Sequence, residues 1–282
     1  MPELPEVETI ARGVDERLRG DRITEVWFGS HSQPFKTAPA VQAAGLEGRV
    51  ILGVHRVGKH IVCELGDAAG RDGAGDDAAA KAQWIVHLGM TGRLLVTTPE
   101  GPVAPHTHAR LTLESGKEVR FVDPRRFGRL EFRVLDKDKA FAGPGAEPLT
   151  IDPEAFIELF RGRRLAIKAA LLNQTLLHGV GNIYADESLF HAGIRPRRMA
   201  GRLKRAELLK LREALQQVLR QAIEQGGSSV SDYVDADGVR GFFQLEHRVY
   251  LRTGQPCLVC GTPIRRILLA GRGTHFCPVC QR

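Results

Sequence analysis

No stretch of the 282-residue chain approaches the roughly 18 consecutive apolar residues that a membrane-spanning helix needs. The N-terminus lacks a basic stretch followed by an apolar run, so a secretory signal is not expected either. Cysteine is scarce: there are five, four of them crowded into the last 26 residues, which leaves nothing for a disulfide framework. No internal repeat is present, which argues against a solenoid or array. Acidic residues are missing altogether from the last 32 positions, which nevertheless carry five arginines. A cytoplasmic protein in a reducing compartment is the expectation.

What is present is ordinary in bulk and uneven in arrangement. Hydrophobic residues make 43% and charged residues 26% of the chain, as in globular proteins generally, and its length suits two domains better than one. The net charge of +7 divides into −1 over residues 1–150 and +8 over residues 151–282. A basic C-terminal half fits binding to a phosphate backbone, although a solvated basic surface would carry the same charge.

Periodicity changes once along the chain. Residues 1–20 read as a helix, with Pro5 and the acids Glu3, Glu6 and Glu8 at its start, Val7, Ile10, Val14 and Leu18 on one face, and Gly20 as its stop. From residue 23 to about 135 the pattern is strand-like, with runs at 23–28, 50–54, 60–65, 84–88, 93–97, 109–113, 118–122 and 129–134. Glu114-Ser115-Gly116-Lys117 suits a hairpin turn. So many short strands predict an antiparallel sandwich. Residues 66–83 interrupt it with seven alanines, four glycines and four aspartates, a composition expected to form an exposed loop. A Gly/Pro cluster at 142–148 predicts a linker. Helical periodicity follows. One helix opens at Asp152-Pro153 and stops near Gly162, another covers 167–173, a third is capped by Asn182 and ends near Gly193, and a long one covers 206–225 before Gly226-Gly227.

The motif most specific by spacing is Cys257-x-x-Cys260 with Cys277-x-x-Cys280. Paired turns of this kind bring four thiolates to one tetrahedral Zn²⁺, and a site with no open position is structural. The short strands expected at 264–270 and 275–276 make the intervening segment a β-hairpin finger. Arg265, Arg266 and Arg272 on so small a finger would present cations to phosphate.

The N-terminal MPELPEVE, VGKH at 57–60, HLGMTGRL at 87–94, DPRRFG at 123–128, GVGNIYADE at 179–187 and the cysteine finger occur in order over nearly the whole chain. Together they closely resemble the formamidopyrimidine-DNA glycosylases. The resemblance implies an α+β multidomain fold: an N-terminal antiparallel β-sandwich with a leading helix, then a helix–two-turn–helix domain with a β-hairpin zinc finger. The corresponding segments are 1–135, a linker at 136–148, 149–246 with a lesion-capping loop at 228–242, and 247–282. It implies excision of oxidised purines (8-oxoguanine and formamidopyrimidines) from duplex DNA by a monomer, followed by β,δ-elimination, with one structural zinc ion as the cofactor.

The implied nucleophile is the nitrogen of Pro2. Removal of Met1 leaves a secondary amine, and an α-amine titrates near neutrality, so a useful fraction is unprotonated. Its iminium adduct with a sugar carbon cannot lose its charge by shedding an N–H, which makes it an electron sink. By the same resemblance Glu3 is a general acid, Lys59 contacts the lesion and donates a proton in elimination, and Arg272 grips phosphate. Met90, Arg125 and Phe127 fill the space left by an extruded base. Asn182, His106 and Arg163 hold the DNA backbone; Arg163 stands where some relatives carry lysine. Two other readings remain open on the residues alone: an endonuclease VIII-like enzyme for oxidised pyrimidines, and a zinc-finger protein that binds DNA without chemistry.

Overall fold

The computed structural model describes residues 1–31, 34–67, 79–229 and 234–282. They form two compact units. The first comprises residues 1–2, 6–142 and 228–241, and the second residues 3–5, 143–227 and 242–282.

The first unit contains most of α1 (Leu4–Leu18), whose first two residues belong to the second unit. Then come β1 (Ile23–Phe28), α2 (Pro39–Leu46), β2 (Val50–Val57), β3 (His60–Gly66), β4 (Ala82–His87), β5 (Arg93–Thr97), β6 (Thr107–Leu113), β7 (Glu118–Val122) and β8 (Arg129–Val134). The strands make two antiparallel sheets ordered β1-β6-β7-β5 and β2-β3-β4-β8. Inner faces of both sheets share one core. Leu111, Val119 and Phe121 come from the first sheet, and Ile61, Trp84, Val86 and Leu130 from the second. Val7, Ile10, Val14 and Leu18 of α1 join them, so the face predicted for the leading helix is the buried one. Gly116 takes φ 81° in the β6–β7 hairpin, where Leu113 N–H donates to the Lys117 carbonyl at 2.9 Å.

Two expectations are corrected here. The strand-like region contains a helix, α2, that its alanine-rich sequence hardly announces. Packing fixes it. Buried Gln42 accepts the Trp84 indole N–H at 3.1 Å, and Gly45 lies so close to the Phe132 ring that a Cβ would come within 2.3 Å of it. The expected loop at 66–83 is shorter at both ends, because Gly66 closes β3 and Ala82 opens β4 in a paired ladder. Its central residues 68–78 lie outside the described residues, as do 230–233 of the expected capping loop. The described ends of that second loop are tied into the first unit: Ser228 N–H donates to Glu6 Oε1 at 2.7 Å and Val96 N–H to the Ala236 carbonyl at 3.1 Å.

The second unit contains α3 (Pro153–Glu158), α4 (Ile167–Leu171), α5 (Asn182–Ala192) and α6 (Arg205–Glu224), followed by the hairpin β9 (Arg265–Leu269) and β10 (Arg272–Phe276). Asp152 caps α3 by accepting from Ala155 N–H at 3.0 Å. α5 ends on Gly193 in the left-handed region, and α6 on the glycine pair 226–227. Every residue of α5 except Asn182 and His191 is buried, making it the central post of this unit. No described helix is long and apolar enough to cross a membrane.

Candidate active site

Pro2 is buried, and the chain enters α1 two residues later. Three acids at this start look equivalent in sequence, yet each has its own partner. Glu8 pairs with Arg12 at 2.7 Å and Arg56 at 2.8 Å. Glu6 takes the Ser228 amide. Glu3, 5% exposed, reaches the start of α5, where its carboxylate accepts from Ile183 N–H at 3.1 Å and lies 3.5 Å from Tyr184 N. Gly181 makes room for it, since a Cβ there would sit 2.2 Å from the Glu3 carboxyl carbon.

That arrangement corrects the expectation for Asn182. The residue before the helix, Gly181, is the N-cap, and Asn182 is the first helical residue; its side-chain amide donates to the Gly273 carbonyl at 3.0 Å. An N-terminal turn with free N–H groups and positive potential suits an anion. Here the anion is the chain's own Glu3, which takes the Ile183 amide and faces that of Tyr184.

Arg272 is exposed at the first position of β10, directly after a two-residue turn in which Ala270 and Gly271 both have positive φ, 48° and 72°. Behind it lies a charged network that sequence reasoning missed. The ammonium of Lys168, 0% exposed, lies 2.6 Å from Asp186 Oδ1 and donates to Thr274 Oγ1 at 2.9 Å and the Gly273 carbonyl at 3.1 Å. Asp186 Oδ2 accepts from His275 N–H at 2.8 Å and stands 3.1 Å from its Nδ1. Burial lowers the Lys168 pKa, opposed by Asp186 and Glu3 and reinforced by Arg272. Burial also raises that of Tyr250, whose hydroxyl is bonded to Asn182 and feels Glu3, Asp186 and Arg272. Glu3, Asn182, Arg272, Lys168 and Tyr250 therefore share one neighbourhood. The sequence did carry a signal, a lone lysine inside the apolar run 165–172, because a buried cation requires a partner.

The four Sγ atoms of Cys257, Cys260, Cys277 and Cys280 lie within 4.8 Å of one another. Cys260 and Cys277 Sγ are 3.5 Å apart and Cys257 and Cys280 Sγ 3.9 Å, against about 3.8 Å for the edge of a tetrahedron with 2.3 Å Zn–S bonds. The donor set and its geometry fit one structural Zn²⁺.

In the first unit, Gly58 (φ 62°) and Lys59 form the tight turn between β2 and β3, and Arg56 braces it by donating to the Gly58 carbonyl at 3.3 Å. Lys59 is not the solvated surface residue that an isolated lysine would be: it is 9% exposed. Beside it His60 and His87 are cross-strand neighbours with ring centroids 4.8 Å apart. Burial brings both pKa values down to about 4, helped for His60 by His87 and for His87 by Lys59.

Met90 and Phe127 are 41% and 48% exposed, so neither serves the core. The Arg125 guanidinium lies over the Phe127 ring, 4.8 Å from its centroid. His106 is exposed and holds φ 66° on a neighbouring loop. These four stand around buried Asp123. Arg163 is exposed elsewhere, on the segment between α3 and α4, where its Nε donates to the Leu159 carbonyl.

A four-thiolate finger built onto a helix–two-turn–helix unit, with an acid from the chain's own start set into it, defines a zinc-finger DNA glycosylase. Sequence profiles agree along the chain. The formamidopyrimidine-DNA glycosylase N-terminal domain matches residues 1–130, the formamidopyrimidine-DNA glycosylase H2TH domain 143–234, and the zinc finger found in FPG and IleRS 254–282. A formamidopyrimidine-DNA glycosylase of Solibacter usitatus is 46% identical over 282 residues, all of both chains. Among solved structures, a Lactococcus lactis FPG bound to Fapy-dG-containing DNA matches with 34% identity and a TM-score of 0.85, and MutM bound to carbocyclic 8-oxo-G-containing DNA with 34% and 0.86; each match covers all of both chains. The chain belongs to the formamidopyrimidine-DNA glycosylase family.

Proposed function

We propose that this protein excises 8-oxoguanine and formamidopyrimidines from duplex DNA and then cuts the strand, with Pro2 as nucleophile. The observation that carries the reading is the full-length family match together with an intact Pro2-Glu3 start whose acid is lodged at the head of α5. The Pro2 nitrogen attacks C1′ of the damaged nucleoside, the C1′–N bond breaks and the base leaves with a proton. Glu3 protonates the sugar oxygen as the ring opens, leaving an iminium at C1′. Loss of a C2′ proton expels the 3′ phosphate, and a second elimination expels the 5′ phosphate. Lys59, buried at its turn, supplies a proton in the first elimination, and Arg272 holds phosphate near the lesion.

Met90, Phe127 and Arg125 fill the vacated stack; the apolar pair rests on neighbouring bases and the guanidinium pairs with the orphaned cytosine. His106, Asn182 and Arg163 hold the backbone. Zinc bound to the four cysteines supplies rigidity to the hairpin that carries Arg272. The working segments are 1–135, a linker at 136–148, 149–246 with the capping loop 228–242, and 247–282; the spans of the three family profiles support this division. The site of action is the cytoplasm at the nucleoid, and the acting species is a monomer.

Single-turnover rates on duplexes carrying 8-oxoguanine opposite cytosine or thymine glycol test the reading. Faster release of 8-oxoguanine is expected, and a marked preference for thymine glycol would move the protein to the endonuclease VIII-like reading.

A further inference from the structure

Asp123 is 0% exposed and sits where three loops meet. Its carboxylate serves two of them. Oδ1 accepts the Thr91 hydroxyl at 2.6 Å, on the loop of Met90, and Oδ2 accepts the Gly128 amide at 2.8 Å, closing the loop of Arg125 and Phe127. Thr91 Oγ1 in turn accepts the Arg125 amide at 3.4 Å, so a short relay joins the two loops through one acid. The Asp123 main chain serves the third loop: its N–H donates to the His106 carbonyl at 3.0 Å, and its carbonyl accepts from His108 Nε2 at 3.0 Å; the same carbonyl accepts from Arg126 N–H of the second loop at 3.2 Å.

Two features show that the assembly is held tightly. Gly89 (φ 63°) runs backbone against backbone with the second loop, since a Cβ there would lie 2.5 Å from Gly128 N. His106 and Arg126, neither of them glycine, hold φ 66° and 56°. Such conformations persist where surrounding bonds over-determine them.

We propose that Asp123 is a positioning residue for base extrusion, a carboxylate clamp that fixes the Met90 loop against the Arg125–Phe127 loop so that wedge and guanidinium enter the stack together. The proposal rests on the void-filling reading of those three residues. Hydrogen bonds to an ionised, buried acceptor are among the stronger ones in a protein, and a wedge displaced by an ångström no longer meets the bases it must support. The clamp has no part in bond breaking, so it matters only where a duplex has to be opened.

Asp123→Asn and Thr91→Val, each checked for an unchanged thermal midpoint and bound zinc, test this in three readouts. Expected are a fall of about tenfold or more in 8-oxoguanine release from duplex, a smaller rise in fluorescence of 2-aminopurine placed beside the lesion, and faster hydrogen exchange at the Gly128 amide. Borohydride trapping on a single-stranded abasic site, which has no stack to fill, should stay within about twofold. Met90→Ala and Phe127→Ala serve as controls. If they lower duplex release while Asp123→Asn does not, the clamp is refuted and the wedge stands. If they leave release unchanged, the wedge reading fails and the clamp falls with it. Equal losses on duplex and single strand in Asp123→Asn would make Asp123 a general structural residue and overturn the proposal.

Discussion

Replacing Lys168 by methionine should destabilise the C-terminal unit far more than a lost surface charge. In the native chain the ammonium has three acceptors, Asp186 at 2.6 Å, Thr274 at 2.9 Å and Gly273 at 3.1 Å, with no exposed surface on either side chain of the ion pair. Methionine keeps the stem and removes the charge, leaving the Asp186 carboxylate buried with the His275 groups alone as partners. Breaking a buried pair from one side typically costs about 3–5 kcal/mol. Removing the acid as well, in Lys168→Met with Asp186→Leu, eliminates the uncompensated charge. It still strands the His275 amide, at about 1–3 kcal/mol. The double variant should therefore be more stable than Lys168→Met alone. Equilibrium urea unfolding of the zinc-loaded full chain, followed by far-UV circular dichroism, measures Lys168→Met, Asp186→Leu and the double variant against the unaltered chain. A loss below about 1 kcal/mol in Lys168→Met, or a double variant whose loss equals the sum of the singles, would refute the assignment of a coupled buried pair.

Three further outcomes are expected. Gly181→Ala places a Cβ 2.2 Å from the Glu3 carboxyl carbon and should cut glycosylase activity at least about a hundredfold with zinc content unchanged; wild-type rates would show that Glu3 need not stand at α5. Cys277→Ser should release zinc and cripple strand cleavage while the sandwich stays folded, and full activity of metal-free protein would contradict the structural role of the finger. His60 and His87, lowered to about 4, bind fewer protons folded than unfolded between pH 6.5 and 4. Stability from their burial is complete above that window and lost as pH falls through it, by about 3 kcal/mol per histidine at most from 1.36 kcal/mol per unit. His87→Gln should flatten this part of the profile, and an unchanged slope in thermal melts from pH 7 to 4.5 would count against it.

Most of the architecture was legible because burial imposes its period on the chain. Four of the eight sandwich strands, 23–28, 93–97, 118–122 and 129–134, have the bounds that alternation and turns suggested. α2 was not legible, because its weakly periodic PAVQAAGL depends on Trp84 and Phe132, distant in sequence. The cysteine finger was legible because its ligands lie close in the chain as two identical Cys-x-x-Cys pairs. Asn182 was misjudged as a cap for the opposite reason: the group that fills the head of α5 comes from residue 3. Asp123 and Lys168 act through contacts across turns and helices, and their importance emerges only when the chain is folded.

The most direct measurement is to reduce the protein–DNA adduct with borohydride and sequence the modified peptide by mass spectrometry. The sugar remnant should sit on the nitrogen of Pro2, in a peptide that has lost Met1. A remnant on Lys59 or any other lysine, or full nicking of 8-oxoguanine duplex by protein that retains Met1, would contradict the mechanism.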